Sequence, residues 1–121
     1  MTERFSVCRV EELREGERRI VDARGVEVGV FNLGERLVAY RNRCPHMKAP
    51  VCRGRVGGTN LPSPPGTYRF GKRGRVLHCP WHGWQFDLET GEGLVGYPQR
   101  LSPVECGVED GEVVLYLPPG D

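Results

Sequence analysis

The chain has 121 residues, enough for one domain with a core of its own. Its 17 Lys and Arg against 16 Asp and Glu leave a formal net charge of +1, which gives no electrostatic argument for nucleic acid or an anionic membrane. No stretch approaches the roughly 20 apolar residues of a bilayer span, and residues 1–5 lead into no apolar run, so neither a membrane anchor nor a signal peptide is expected and the expected compartment is the cytoplasm.

Seventeen glycines and ten prolines interrupt the apolar runs, so helical signals are weak and strand signals recur. Residues 5–10 alternate loosely, and 19–23 read as a short strand. Residues 26–33 and 36–41 read as a hairpin turned at Asn32, Leu33, Gly34 and Glu35. From 53 to 75 the texture changes to a Pro/Gly-rich, irregular excursion, with 67–70 a candidate short strand. Loops of that length inside compact domains tend to be functional or mobile. Residues 76–79, 85–88, 104–108 and 113–117 complete the strands, and Asp110-Gly111 is a strong hairpin signal between the last two. The pattern implies an antiparallel all-β domain.

Two short segments carry the chemistry. Cys44-Pro45-His46-Met47 holds a Cys-x-His pair, and Cys79-Pro80-Trp81-His82-Gly83-Trp84 holds a Cys-x-x-His pair. Each sets one thiol and one imidazole on a tight loop between strands, because the proline restricts the backbone and Gly83 relieves crowding. Two such loops can clamp one metal centre. Two Cys and two His also suit a structural zinc ion, although zinc pairs are more often Cys-x₂₋₄-Cys with His-x₃₋₅-His. Five cysteines, an odd number, suit a reducing compartment and a metal site better than a disulfide framework.

These segments resemble the Rieske iron–sulfur family, closest to Rieske ferredoxins and to the Rieske domain of ring-hydroxylating oxygenases. The run from Cys79 to Phe86, CPWHGWQF, is very similar to that family's second box. The resemblance implies a Rieske-like antiparallel sandwich in which two cluster-binding loops form a small subdomain. It implies one [2Fe–2S] cluster per chain, one iron on Cys44 and Cys79 and the other on His46 and His82. The chain is then a single Rieske domain over 1–121, with an insertion around 53–75. The insertion shows in the 32 residues (47 to 78) between His46 and Cys79, more than the family's usual interval.

Charge counting shows what such a ligand set does. Two ferric ions, two sulfides and two thiolates sum to zero, and one electron makes −1, an easier step than the −2 to −3 of a four-cysteine cluster. Rieske potentials span about −150 to +300 mV, against about −400 mV for plant-type ferredoxins. The high-potential members have an added disulfide and a serine that donates to a sulfide. Here Met47-Lys48-Ala49, Trp81 and Trp84 stand at the matching positions, which places the chain at the low end.

A mononuclear oxygenase iron needs two histidines and a carboxylate. The chain has three histidines, and with two in the cluster only His78 remains. The implied function is therefore that of a soluble one-electron carrier without a catalytic site of its own. It would take electrons from a reductase and pass them to a terminal oxygenase or other oxidoreductase, with no nucleic-acid or membrane partner. A small subunit of a nitrite-reductase-like complex and a zinc-stabilised, non-redox interaction module are the alternatives. Cys8, Cys52 and Cys106 read as structural residues. His78 would point away from the centre if its strand alternates, and Trp84 either shields the cluster or packs in the core. Basic residues flank both boxes, around Arg41 to Arg55 and Arg69 to Arg75, and are either solvated loop charge or a docking face.

Overall fold

A computed structural model describes residues 2–44, 50–61, 69–80, 84–94 and 99–118, with backbone alone at 58–61 and 69–74. Its strands, in chain order, are β1 (Glu3–Arg9), β2 (Arg18–Ala23), β3 (Val26–Asn32), β4 (Leu37–Arg41), β5 (Arg55–Leu61), β6 (Arg69–His78), β7 (Gln85–Asp87), β8 (Glu105–Glu109) and β9 (Glu112–Leu117). They pair antiparallel into three three-stranded sheets ordered β1-β9-β8, β2-β3-β4 and β5-β6-β7. Short 3-10 turns occupy Val10–Glu12 and Val51–Arg53, and no α-helix occurs among the described residues.

The middle sheet is apolar on both faces, and that organises the molecule. Side chains alternate across a strand. In β3, Val28 and Val30 enter one core and Phe31 the other; in β4, Ala39 enters the first while Val38 and Tyr40 enter the second. The first core closes against Val113, Leu115 and Leu117 of β9 and Val104. The second closes against Leu77 of β6, Phe86 of β7, Leu88 and Leu101, and it contains Cys44, Cys52 and Cys79. A strand buried on both faces reads as a continuous apolar run, as VGVF does in β3. Backbone bonds from Arg41 to Ser102 and from Val104 to Ala39, both 2.9 Å, tie the edge of β4 to the segment entering β8.

The β8–β9 turn falls where the dipeptide signal places it: Asp110 and Gly111 both take positive φ, 49° and 78°, the mirror-image turn that matches strand twist. The expectation for 53–75 needs correcting. Instead of an irregular excursion, its described part is two strands: Arg55, Val56 and Gly57 pair with His78, Leu77 and Val76, and Thr59 to Leu61 pair with Gly71 to Arg69. A register shift between Gly57 and Thr59 sets four residues of β6, 72–75, against one of β5. Because β7 pairs only with Val76 to His78, the outer part of this hairpin runs on as a two-stranded ribbon. Of the candidate strand 67–70, Arg69 and Phe70 open β6, and the rest lies outside the described residues.

Candidate metal centre

Cys44 follows the end of β4 and Cys79 follows the end of β6, so each cysteine sits where a strand gives way to a loop. Both are buried, at 0% and 2% exposure, in the same apolar core. The second loop is closed by its own backbone: the Cys79 N–H donates to the Trp84 carbonyl at 2.7 Å, just before β7 begins. The first is braced by Asn42. Its Oδ1 accepts from the Cys52 N–H at 2.8 Å, and its backbone N–H donates to the Glu27 carbonyl at 2.8 Å. Its Nδ2 donates to Glu27 Oε1 at 3.1 Å. Arg18 donates to the carbonyls of Cys52 (2.8 Å) and Gly54, fixing the Val51–Arg53 turn from below. One asparagine and one arginine thus hold the strand end before Cys44 and the turn that follows its loop.

This arrangement suits the thiolate half of a metal centre. Two cysteines from loops 35 residues apart in sequence reach one dry pocket of core, where thiolates find compensation in a bound cation. Among the described residues no group of three or more Cys, His, Asp or Glu comes together. His46, His82 and Trp81 lie outside the described residues. Two thiols buried together, each followed by a loop carrying a histidine, fit a mixed sulfur–nitrogen centre.

The other cysteines are placed differently. Cys52 is fully buried, its Sγ 3.6 Å from the Tyr40 carbonyl, and burial pushes its thiol up to about 12. It packs on Gly29, where a Cβ would stand 2.6 Å from both Cys52 Cβ and Sγ. Cys8 and Cys106 lie on β1 and β8 against the opposite core, and burial raises both thiols. The structural reading of all three holds. His78 closes β6, where it pairs with Arg55 of β5 and Gln85 of β7; its Nδ1 lies 3.4 Å from Arg55 Nη2. Trp84 is half-buried and packs on the core that holds the cysteines. Asn42 and Arg18 were not singled out by sequence reasoning, and the only available signal was a turn-forming Asn two residues before a cysteine.

Residues 3–106 match the Rieske [2Fe-2S] domain. The chain is 28% identical over 117 residues to the ferredoxin component of the alkene monooxygenase system of Xanthobacter autotrophicus, covering 97% of this chain and 84% of that protein. It is likewise 28% identical over 116 residues to the 3-phenylpropionate/cinnamic acid dioxygenase ferredoxin subunit of Shigella flexneri, covering 95% and 94%. Among solved structures it superposes with a TM-score of 0.70 at 25% identity on a chain from the complex of reduced oxygenase and oxidized ferredoxin in carbazole 1,9a-dioxygenase, covering 93% of this chain and 91% of that one.

Proposed function

From the premise that the chain belongs to the Rieske [2Fe-2S] domain family, which brings one such cluster per chain, we propose that Cys44, His46, Cys79 and His82 hold the cluster and that the protein relays single electrons from a reductase to a terminal oxygenase. The bound cluster supplies a site that is reduced and reoxidised by one electron at a time. The observation that carries the reading is the burial of Cys44 and Cys79 in one apolar core, each at the mouth of a Cys-Pro loop.

The chain's own residues provide the setting. Leu77, Phe86 and Val51, all fully buried, keep water from the thiolates. The Asn42–Cys52 bond ties the end of β4 to the turn after the first loop, and the Cys79–Trp84 bond closes the second loop between β6 and β7, which limits how far a ligand can move between oxidation states. The role of carrier agrees with the ferredoxin components among its relatives, which serve a monooxygenase and a dioxygenase. The three histidines leave no ligand pair for a separate oxygenase iron once two bind the cluster, so substrate chemistry belongs to the partner. We read the whole of 1–121 as one Rieske domain, elaborated around 53–75 by the β5–β6 hairpin, and place it in the cytoplasm. Among the described residues no helix is long and apolar enough to cross a membrane.

A redox titration of the purified protein followed by electron paramagnetic resonance tests the reading. The expected result is a rhombic signal of low average g that appears only on reduction, toward the low-potential end of the Rieske range. A colourless protein containing zinc and no reducible iron would replace the carrier with a structural module.

A further inference from the structure

The net charge of +1 conceals a separation. Between residues 36 and 86 the chain has ten Lys and Arg and no Asp or Glu. All 16 carboxylate side chains and the other seven cations lie outside that stretch, so one part of the molecule carries +10 and the remainder −9. The basic stretch spans β4, β5, β6 and β7 up to Phe86 and includes both cluster loops; Asp87 ends β7, and Arg75 of β6 is paired with Glu35 and Glu89.

The cations nearest the cysteines are presented outward. Arg43 precedes Cys44, Arg53 ends the turn that Asn42 braces, and Arg55 is the register partner of His78, the residue before Cys79. All three are exposed, and none has a carboxylate partner among the described residues. Two acids stand nearby: Glu27 lines a recess of about 290 Å³ with Arg41 and Arg43 and accepts from Asn42, and Glu17 shares a recess with Arg55. At the other end the charges are used internally. Arg4 pairs with Glu109 at 3.3 Å, Arg9 with Glu11 at 2.7 Å, and Arg24 with Glu3. Arg69, Lys72 and Arg73 add three cations to the same stretch of sequence.

We propose that this cationic cap docks a carboxylate-rich face on the protein that exchanges electrons with the cluster. The proposal rests on the carrier reading above. A partner that exchanges electrons approaches the ends of β4 and β6 from which the two loops leave, and Arg43, Arg53 and Arg55 are exposed beside those ends. Opposite charge on that face steers the encounter, and the −9 remainder turns the molecule's back on the same partner. The remainder also repels a polyanion that would wrap the protein, which favours a local protein face over nucleic acid.

Small charged oxidants read the local charge without the partner. The reduced protein gives one electron to hexacyanoferrate(III), an anion, which becomes hexacyanoferrate(II). In a parallel experiment it gives one electron to tris(phenanthroline)cobalt(III), a cation, which becomes cobalt(II). As salt is raised, the stopped-flow rate should fall about tenfold or more for the anion and rise for the cation. Arg43→Glu with Arg53→Glu should flatten both dependences, while Arg43→Lys with Arg53→Lys should retain them. Arg14→Glu, an exposed residue beside the opposite core, changes the net charge by −2, as Arg43→Glu alone does, and should leave them in place. The reverse order of the two oxidants, or equal effects of Arg43→Glu and Arg14→Glu, overturns the docking proposal alone. Retention of a short DNA duplex at physiological salt assigns the cap to nucleic acid and overturns it as well. A protein that takes up no reducible cluster overturns the carrier reading and the proposal together.

Discussion

The two cores of this protein are built from the same antiparallel strands and held by different means. The core between β9 and the middle sheet is aliphatic at its centre, where Val28, Val30, Val113, Leu115 and Leu117 fill it, and the ion pairs on its outer sheet, such as Arg4–Glu109 between β1 and β8, are exposed. The core under the loops is aromatic and thiol-rich, with Phe31, Tyr40, Phe86 and three cysteines. It depends on side chains that reach backbone. The Tyr40 hydroxyl donates to the Leu88 carbonyl at 2.7 Å, Asn42 accepts from Cys52 N–H, and Arg18 grips the Val51–Arg53 turn. Dispersion and burial stabilise the first core without regard to direction; the second adds directional bonds, which fix loop positions as well as stability. A scaffold and a positioned site therefore share one sheet, each using one of its faces.

The largest expected effect breaks the scaffold and spares the site. Leu115→Ala removes a fully buried side chain from the aliphatic core and should cost about 2–5 kcal/mol in chemical denaturation. The visible spectrum of the folded fraction should stay unchanged, because Cys44 and Cys79 belong to the other core. Asn42→Ala does the converse. It leaves the buried Cys52 N–H without its acceptor and should cost about 1–3 kcal/mol. Its distinguishing readout is faster bleaching of the cluster by chelator, out of proportion to the stability lost. Equal bleaching in the two variants would mean that the directional bonds do not position the loops.

The smallest effect sharpens the comparison at the hinge between the regions. Arg75 of β6 makes two bonds to Glu35, at 2.6 and 2.8 Å, and one to the Leu33 carbonyl at 3.0 Å, clamping the β3–β4 turn to the third sheet. The pairing holds the Glu35 carboxyl at about 2, below its ordinary 4.5. A depressed carboxylate contributes stability above its unfolded value and loses it as pH falls through the folded one. The wild type should therefore lose its advantage over Glu35→Gln between pH 4.5 and about 2, and by little, because the pair faces solvent. Parallel unfolding curves for the two proteins across that window would show that the clamp carries no net stability.

Much of this was legible in the chain. The β3–β4 hairpin and the Asp110-Gly111 turn announce themselves through apolar runs and residues suited to positive φ. The boxes at Cys44 and Cys79 identified the family because Cys-Pro-His and CPWHGW together leave few alternatives. The β5–β6 hairpin was not legible. RVGGTNL has neither alternation nor β-branched density, and its pairing comes from backbone bonds opposite a β6 strand that itself begins with glycines and cations. The bracing by Asn42 and Arg18 was hidden for another reason, since both join segments distant in sequence, across 10 and 34 residues, that only the fold brings together. Charge separation was hidden by its own cancellation in the net sum.

The central claim is that Cys44 and Cys79 share one cluster with His46 and His82. Pulsed electron paramagnetic resonance of the reduced protein, labelled with nitrogen-15 histidine, tests it most directly. Two strongly coupled histidine nitrogens in the wild type and one in a cluster-loaded His82→Cys variant, with a more negative potential, are the predicted result. No coupled histidine nitrogen in the wild type, or two in His82→Cys at an unchanged potential, would contradict it.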